Sequence, residues 1–102
     1  MGLLDLLGFN KSTENISDFI NKNAVILDVR TSEEFASGHI KGSKNIPLDM
    51  LSSEIENIQK LNQPVIACCR SGMRSAQATA LLKKNGIETI NGGGWESLQH
   101  KL

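Results

Sequence analysis

The chain has 102 residues, 11 Lys and Arg against 11 Asp and Glu, and 39% hydrophobic residues. That length holds one core of a size that folds without a disulfide or metal staple. The formal net charge of +0 removes the surplus positive charge on which a dedicated nucleic-acid binder depends.

The chain begins MGLLDLLGF, with no basic leader, Asp5 inside the apolar run and no small-residue cleavage site, so no export signal is read. Leu6 stands where the myristoylation pattern needs Ser or Thr. No apolar stretch reaches the roughly 20 residues that span a bilayer. These features predict a soluble, cytoplasmic protein with no membrane insertion. Residues 1–15 read as an extension, a short helix packed on the domain through Leu3, Leu4, Leu6, Leu7 and Phe9, and residues 16–102 as a single domain. The alternative for the extension is a docking helix for a partner or a membrane surface.

A helix is predicted over residues 17–22, capped by Ser17, with Ile16, Phe19 and Ile20 on one face. AVILDV at 24–29 reads as a buried parallel strand, being short, β-branched and not alternating with polar residues. Thr31 with Glu34 forms a capping box for a short helix that ends near Gly38. A weaker strand follows at 44–47, then a helix over 49–61 with Leu51, Ile55, Ile58 and Leu61 at helical spacing. PVIACC at 64–69 is a second buried strand. A helix over 75–85 packs through Ala76, Ala80 and Leu81, ends in Lys83 and Lys84 and stops at Gly86. IETI at 87–90 and a last helical turn from Trp95 to Leu98 complete the chain. Strands alternating with helices predict an α/β parallel sheet covered on both faces, with any ligand at the carboxyl ends of the strands.

The loop CCRSGMRS at 68–75 carries the chemistry. Adjacent Cα atoms lie about 3.8 Å apart, below the roughly 4.4 to 6.8 Å of an unstrained disulfide, so Cys68 and Cys69 are expected reduced. A cysteine at a strand's carboxyl end, facing the unpaired N–H groups of a helix amino terminus, meets a concavity that favours anions. Gly72 permits positive φ, and Arg70 and Arg74 add positive charge. Together these favour a Cys69 thiolate. Residues 57–87 contain no acid, so the neutral total conceals a basic stretch around Cys69. The plain alternative is a small buried hydrophobe, which leaves the flanking arginines and glycine without a role. Cys68, whose side chain points the other way, reads as core filler, with a resolving thiol as its alternative. Asp28, at a strand's carboxyl end, could cap the following helix, pair with Arg30 or pair with a loop arginine.

Three motifs in order, AVILDVRTSEEFASGHIKGSKNIP at 24–47, CRSGMR at 69–74 and INGGGWESL at 90–98, resemble the rhodanese-like sulfurtransferase domains over roughly residues 16–98. The resemblance implies a central five-stranded parallel sheet flanked by helices on both faces. It also implies a catalytic cysteine at Cys69 that accepts a sulfane sulfur as a persulfide, cradled by the loop from Arg70 through Ser71, Gly72, Met73 and Arg74 to Ser75. Asp28 and Arg30 match the family's supporting residues, and His39 falls in a GHI turn like the family's structural motif.

The implied chemistry needs no cofactor and no metal. A small anionic sulfur donor such as thiosulfate loads Cys69, and a thiol acceptor or a sulfur-relay protein unloads it. Two other readings compete: a rhodanese-like module that only binds a partner, and a phosphatase or arsenate reductase of related fold. The last have a loop one residue longer, whereas Arg74 stands five positions after Cys69. His39 and His100 are isolated, the glycines at 92–94 lack a dinucleotide-site context, and Trp95 is expected to anchor the carboxyl end to the core.

Overall fold

A computed structural model describes residues 15–102. The expected helix of the amino-terminal extension therefore lies outside the described residues. Helix α1, Ile16–Asn21, is closed by a capping box in which the Asn15 side chain accepts from the Asp18 N–H at 3.0 Å and Asp18 accepts from the Asn15 N–H at 3.1 Å. Asn15, not Ser17, is thus the cap, because Asp18 stands at the position that can answer it.

Strand β1 is Val25–Asp28, α2 is Ser32–Ser37, β2 is Lys44–Asn45, β3 is Val65–Cys69, and β4 is Thr89–Gly94. All pairings are parallel, in the order β2-β1-β3-β4. The sheet has four strands among the described residues, not the five that the resemblance implies. The rest of residues 15–102 is taken up by helices and turns, so no fifth segment there is left to pair beyond β4 or beyond β2, itself only two residues long at an edge. β4 starts two residues later than expected and continues through the glycines, so that Gly94 pairs with Cys69 at the far end of β3.

The stretch from Leu48 folds first as a 3₁₀ helix, Leu48–Glu54, and then as α3, Ile55–Leu61. Pro47 starts it, and the three-residue turn stacks Leu48 and Leu51 on the side facing the core, where Leu51 is fully buried. Helix α4, Met73–Lys84, begins at Met73 with Gly72 as its cap, two residues before the expected start. It buries Ser75, Ala78, Thr79 and Leu82 and leaves Ala76 and Ala80 exposed. The face expected from the alanines is wrong because Ser75, drawn under the loop, sets the helix's rotation, and positions 78, 79 and 82 follow at helical spacing. Helix α5, Trp95–Gln99, closes the chain.

Each sheet face carries its own cluster, as the alternation of a buried strand requires. On one face Leu27, Val29, Val65, Ala67 and Cys69 pack with Leu51, Ile58, Ala78 and Leu82 from the 3₁₀ helix, α3 and α4. On the other, Ile66 and Cys68 pack with Phe19, Ile40 and Leu98, bordered by Trp95. No helix among the described residues is long and apolar enough to cross a membrane.

Candidate functional site

The loop between β3 and α4 closes over Cys69. Gly72 adopts φ +104°, which turns its N–H back toward the strand end it has just left. That N–H donates to Cys69 Sγ at 3.0 Å, the Ser75 N–H lies at 3.4 Å, and Ser75 Oγ is 3.3 Å from the same sulfur. Only 1% of Cys69 is exposed. Burial by itself would push its thiol up. Hydrogen bonds from the Ser75 side chain and from the backbone of Ser75, Gly72 and Ser71 outweigh that, and the thiol ionises below its ordinary value. The expected thiolate-favouring nest is thus present, built from amides more than from guanidinium groups.

The two arginines differ from the expectation. Arg70 is exposed. Arg74 turns across to α2, where Nη1 and Nη2 donate to the two Glu34 carboxylate oxygens at 2.7 and 3.0 Å. Glu34 also accepts from the Thr31 N–H in the capping box at 3.0 Å. The Arg74 hydrogen bonds, followed by that from the Thr31 backbone, pull the Glu34 carboxyl down to about 2. The stretch free of acids in sequence is therefore not free of them in space. Met73, at the start of α4, is 75% exposed beside the loop.

Asp28 pairs with Arg30, which resolves the alternatives left open above. The carboxylate takes Arg30 Nε at 2.9 Å and Nη2 at 2.7 Å, and also the Arg30 N–H at 3.0 Å. Arg30 further donates to the carbonyls of Gly38 at 2.7 Å and Glu34 at 3.3 Å, and its guanidinium lies 4.8 Å from the centre of the Trp95 ring. Asp28 is the parallel partner of Cys68, so this pair stands on the Cys68 face of the sheet, away from the Cys69 sulfur. It ties β1 to α2, to the turn that follows α2 and to α5 on that face. Trp95 anchors the carboxyl end, as expected. His39 stacks on Phe35 with ring centres 3.8 Å apart, and its Nδ1 meets the Phe35 carbonyl at 2.7 Å, a structural arrangement.

Cys68 is fully buried, and burial, followed by the Asp28 charge, pushes its thiol up to about 12. It makes core contacts on the opposite face from Cys69. No group of three or more His, Cys, Asp and Glu that could hold a metal occurs among the described residues.

Two further contributors come from β4, within the INGGGWESL stretch at 90–98. The first is the close approach of β4 to the loop. A Cβ on Gly94 would lie 2.7 Å from the Arg70 carbonyl oxygen, and one on Gly72 would lie 3.3 Å from the Gly93 Cα. The second is Asn91, which contacts both Gly72 and Ser75. The motif shows these residues but not their contacts, which depend on how far β4 runs beside β3. A cavity of about 280 Å³ adjoins the loop through Arg74, walled by Val29, Pro47 and Leu48 with Thr31 and Asp49.

Residues 12–101 match the family model of the rhodanese-like domain. The chain belongs to this family. It is 35% identical over 82 residues to the thiosulfate sulfurtransferase GlpE of Stutzerimonas stutzeri, covering 78% of this chain and 74% of that one. It is 39% identical over 69 residues to the protein YqhL of Bacillus subtilis, covering 68% of this chain and 54% of the relative. The chain thus spans about half the length of YqhL, and 29% and 25% of two longer relatives. Among solved structures, a rhodanese with anions from E. coli superposes with a TM-score of 0.65 at 31% identity, covering 72% of this chain and 88% of that chain.

Proposed function

We propose that this rhodanese-like domain is a sulfurtransferase in which Cys69 carries a sulfane sulfur as a persulfide. The observation that carries the reading is the Cys69 sulfur itself, held by the Gly72 and Ser75 N–H groups at 3.0 and 3.4 Å under a loop that lowers its pKa. The Cys69 thiolate attacks the outer sulfur of thiosulfate, the sulfur–sulfur bond of the donor breaks, and sulfite leaves with the bonding electrons. A thiol acceptor then attacks the outer persulfide sulfur and the Cys69 thiolate departs. Sulfite leaves without a proton, so the step needs no general acid. The loop amides stabilise the negative sulfur in both half-reactions, and no cofactor takes part.

The bidentate pairing of Arg74 with Glu34 supports sulfur transfer over phosphate hydrolysis, because it occupies the guanidinium that would otherwise clamp a tetrahedral dianion. The apolar walls of the neighbouring cavity offer the acceptor a place to rest beside the loop. Reduced thiols at this site suit a reducing compartment such as the cytoplasm.

Intact mass after exposure to thiosulfate, polysulfide or a low-molecular-weight persulfide tests the reading. The expected result is a gain of one sulfur atom, removed by cyanide or by a thiol and mapped to Cys69. A protein that gains no sulfur from any of the three donors is a binding module, and the proposal fails.

A further inference from the structure

The Ser75 hydroxyl has one proton and two neighbours placed to take it. Its Oγ stands 2.7 Å from Asn91 Oδ1 and 3.3 Å from Cys69 Sγ. The direction of the Asn91 amide is set by two backbone groups that have no choice of role. Nδ2 donates to the Gly72 carbonyl at 3.1 Å, and Oδ1 accepts from the Gly93 N–H at 2.9 Å. A carbonyl only accepts and an N–H only donates, so the end of the amide facing Ser75 is the oxygen. Asn91 pairs with Ala67 in the sheet, and Ala67 faces the same side as Cys69, which is how a residue of β4 reaches the loop.

While its proton rests on Asn91, the Ser75 oxygen turns a lone pair toward Cys69. That suits an S–H and opposes a thiolate. A negative sulfur, whether thiolate or persulfide, draws the hydroxyl round to itself by rotation about the Ser75 Cβ–Oγ bond. Asn91 Oδ1 then keeps the Gly93 N–H as its donor.

We infer that Asn91 is a positioning residue that competes with the Cys69 sulfur for the Ser75 hydroxyl proton, making the hydroxyl a donor that the sulfur gains only at the expense of Asn91. Its catalytic meaning rests on the sulfur-carrier reading of Cys69, whereas the competition is a property of thiol ionisation and is read without turnover. The charged or titratable groups that reach Cys69 are Arg74 from α4, paired with Glu34 from α2, and the adjoining Cys68. None of these hydrogen-bonds to the Ser75 or Asn91 side chains, so substitutions there leave them in place.

The test is a thiol titration of the full chain, followed by thiolate ultraviolet absorbance, with Ser75→Ala introduced into three backgrounds: native, Asn91→Ala and Asn91→Asp. In the native background, removing the hydroxyl lowers the Cys69 ionisation constant only about threefold, because the sulfur gains that proton at the expense of Asn91. In Asn91→Ala the hydroxyl is released to the sulfur, and removing it lowers the constant about tenfold, the size of a hydrogen bond to a charged group. Asn91→Asp keeps an acceptor for Ser75 but loses the donor to Gly72, so the small native effect returns. An equal effect of Ser75→Ala in all three backgrounds overturns the competition. A large effect with Asp as well as Ala also overturns it, because the Gly72 bond would then be what matters. If the native protein takes no sulfur from any donor while the coupling is found, the sulfur-carrier reading fails and this inference stands.

Discussion

At the end of β3 two consecutive sulfurs meet opposite surroundings. Cys68 lies among Phe19, Ile40, Ile66 and Leu98 on one face of the sheet, and Cys69 lies on the other, beneath the loop that joins β3 to α4. Both are buried, to 0% and 1% exposure, so burial does not separate them. What separates them is that Cys69 receives N–H groups and a hydroxyl, whereas Cys68 receives apolar contacts and the field of Asp28. One thiol is lowered and its neighbour is pushed up to about 12. The alternation of a strand, placed where the strand ends beneath converging N–H groups, sets one sulfur among donors and its neighbour in an apolar core.

The largest break in this comparison is exchange of the two sulfurs' roles by substitution. Cys69→Ser is expected to abolish sulfur uptake and thiocyanate formation from thiosulfate and cyanide, with an unchanged circular dichroism spectrum. Cys68→Ala is expected to retain both. Sulfur uptake that survives in Cys69→Ser would assign the chemistry to the wrong face.

Next in size is the support under the Cys68 face. Asp28→Ala strands the Arg30 guanidinium in a buried site, and breaking a pair of this kind costs about 3–5 kcal/mol, to be measured by urea unfolding. Asp28 and the Arg30 side chain are exposed by 0% and 5%, so little water can reach the unpaired charge. A loss below about 1 kcal/mol would show that the Gly38 carbonyl and the Trp95 ring hold Arg30 without its carboxylate.

Alkaline pH sharpens the contrast further. The folded chain keeps the Cys68 proton to about 12, while the unfolded chain releases it near about 8.5. A raised acid pKa contributes stability that is fully present below the unfolded value and lost as pH rises toward the folded one. Across that window the term falls by about 1.4 kcal/mol for each pH unit. Cys68→Ala removes it, so unfolding of the variant should lose correspondingly less stability between about pH 8.5 and 10.5. Parallel declines in the two proteins would place an ionised or solvated sulfur at position 68.

The smallest expected effect concerns the screen over the Cys69 side. Glu34→Gln leaves Arg74 with an uncompensated charge beside the loop, and the KM for thiosulfate should fall a few-fold with kcat little changed. The stability cost of losing this half-exposed pair is at most about 1 kcal/mol. With its carboxyl held near about 2, Glu34 has a lowered acid pKa, so its contribution is present above about 4.3 and lost as pH falls toward 2. An unchanged KM would mean that Arg74 does not sense the incoming anion.

Much of this architecture is legible in the residues. The two buried strands, the Thr31 and Glu34 capping box, the stop at Gly86 and the strand-end position of Cys69 rest on local rules, and the structure keeps each of them. Elsewhere, packing overrides local pattern. The Ala76 and Ala80 face of α4 turns to solvent because Ser75 is pinned beneath Cys69. The helix expected from Asp49 tightens to 3₁₀ geometry to bury Leu51 beside Leu48. The four strands read from the apolar runs are also the number found among the described residues, while the five implied by resemblance are not.

The sequence by itself determined which sulfur meets the loop amides: a cysteine at a strand's end followed by a glycine-turned loop and a helix start is a local arrangement, complete within residues 68–75. The tertiary structure decided what surrounds it. Glu34 neutralises Arg74 from 40 residues away, and Asn91 reaches Ser75 across 16. Charge and hydrogen-bond competition act through space over a few ångströms. Which side chains come that close is settled by the parallel register of β1, β3 and β4, not by their order along the chain.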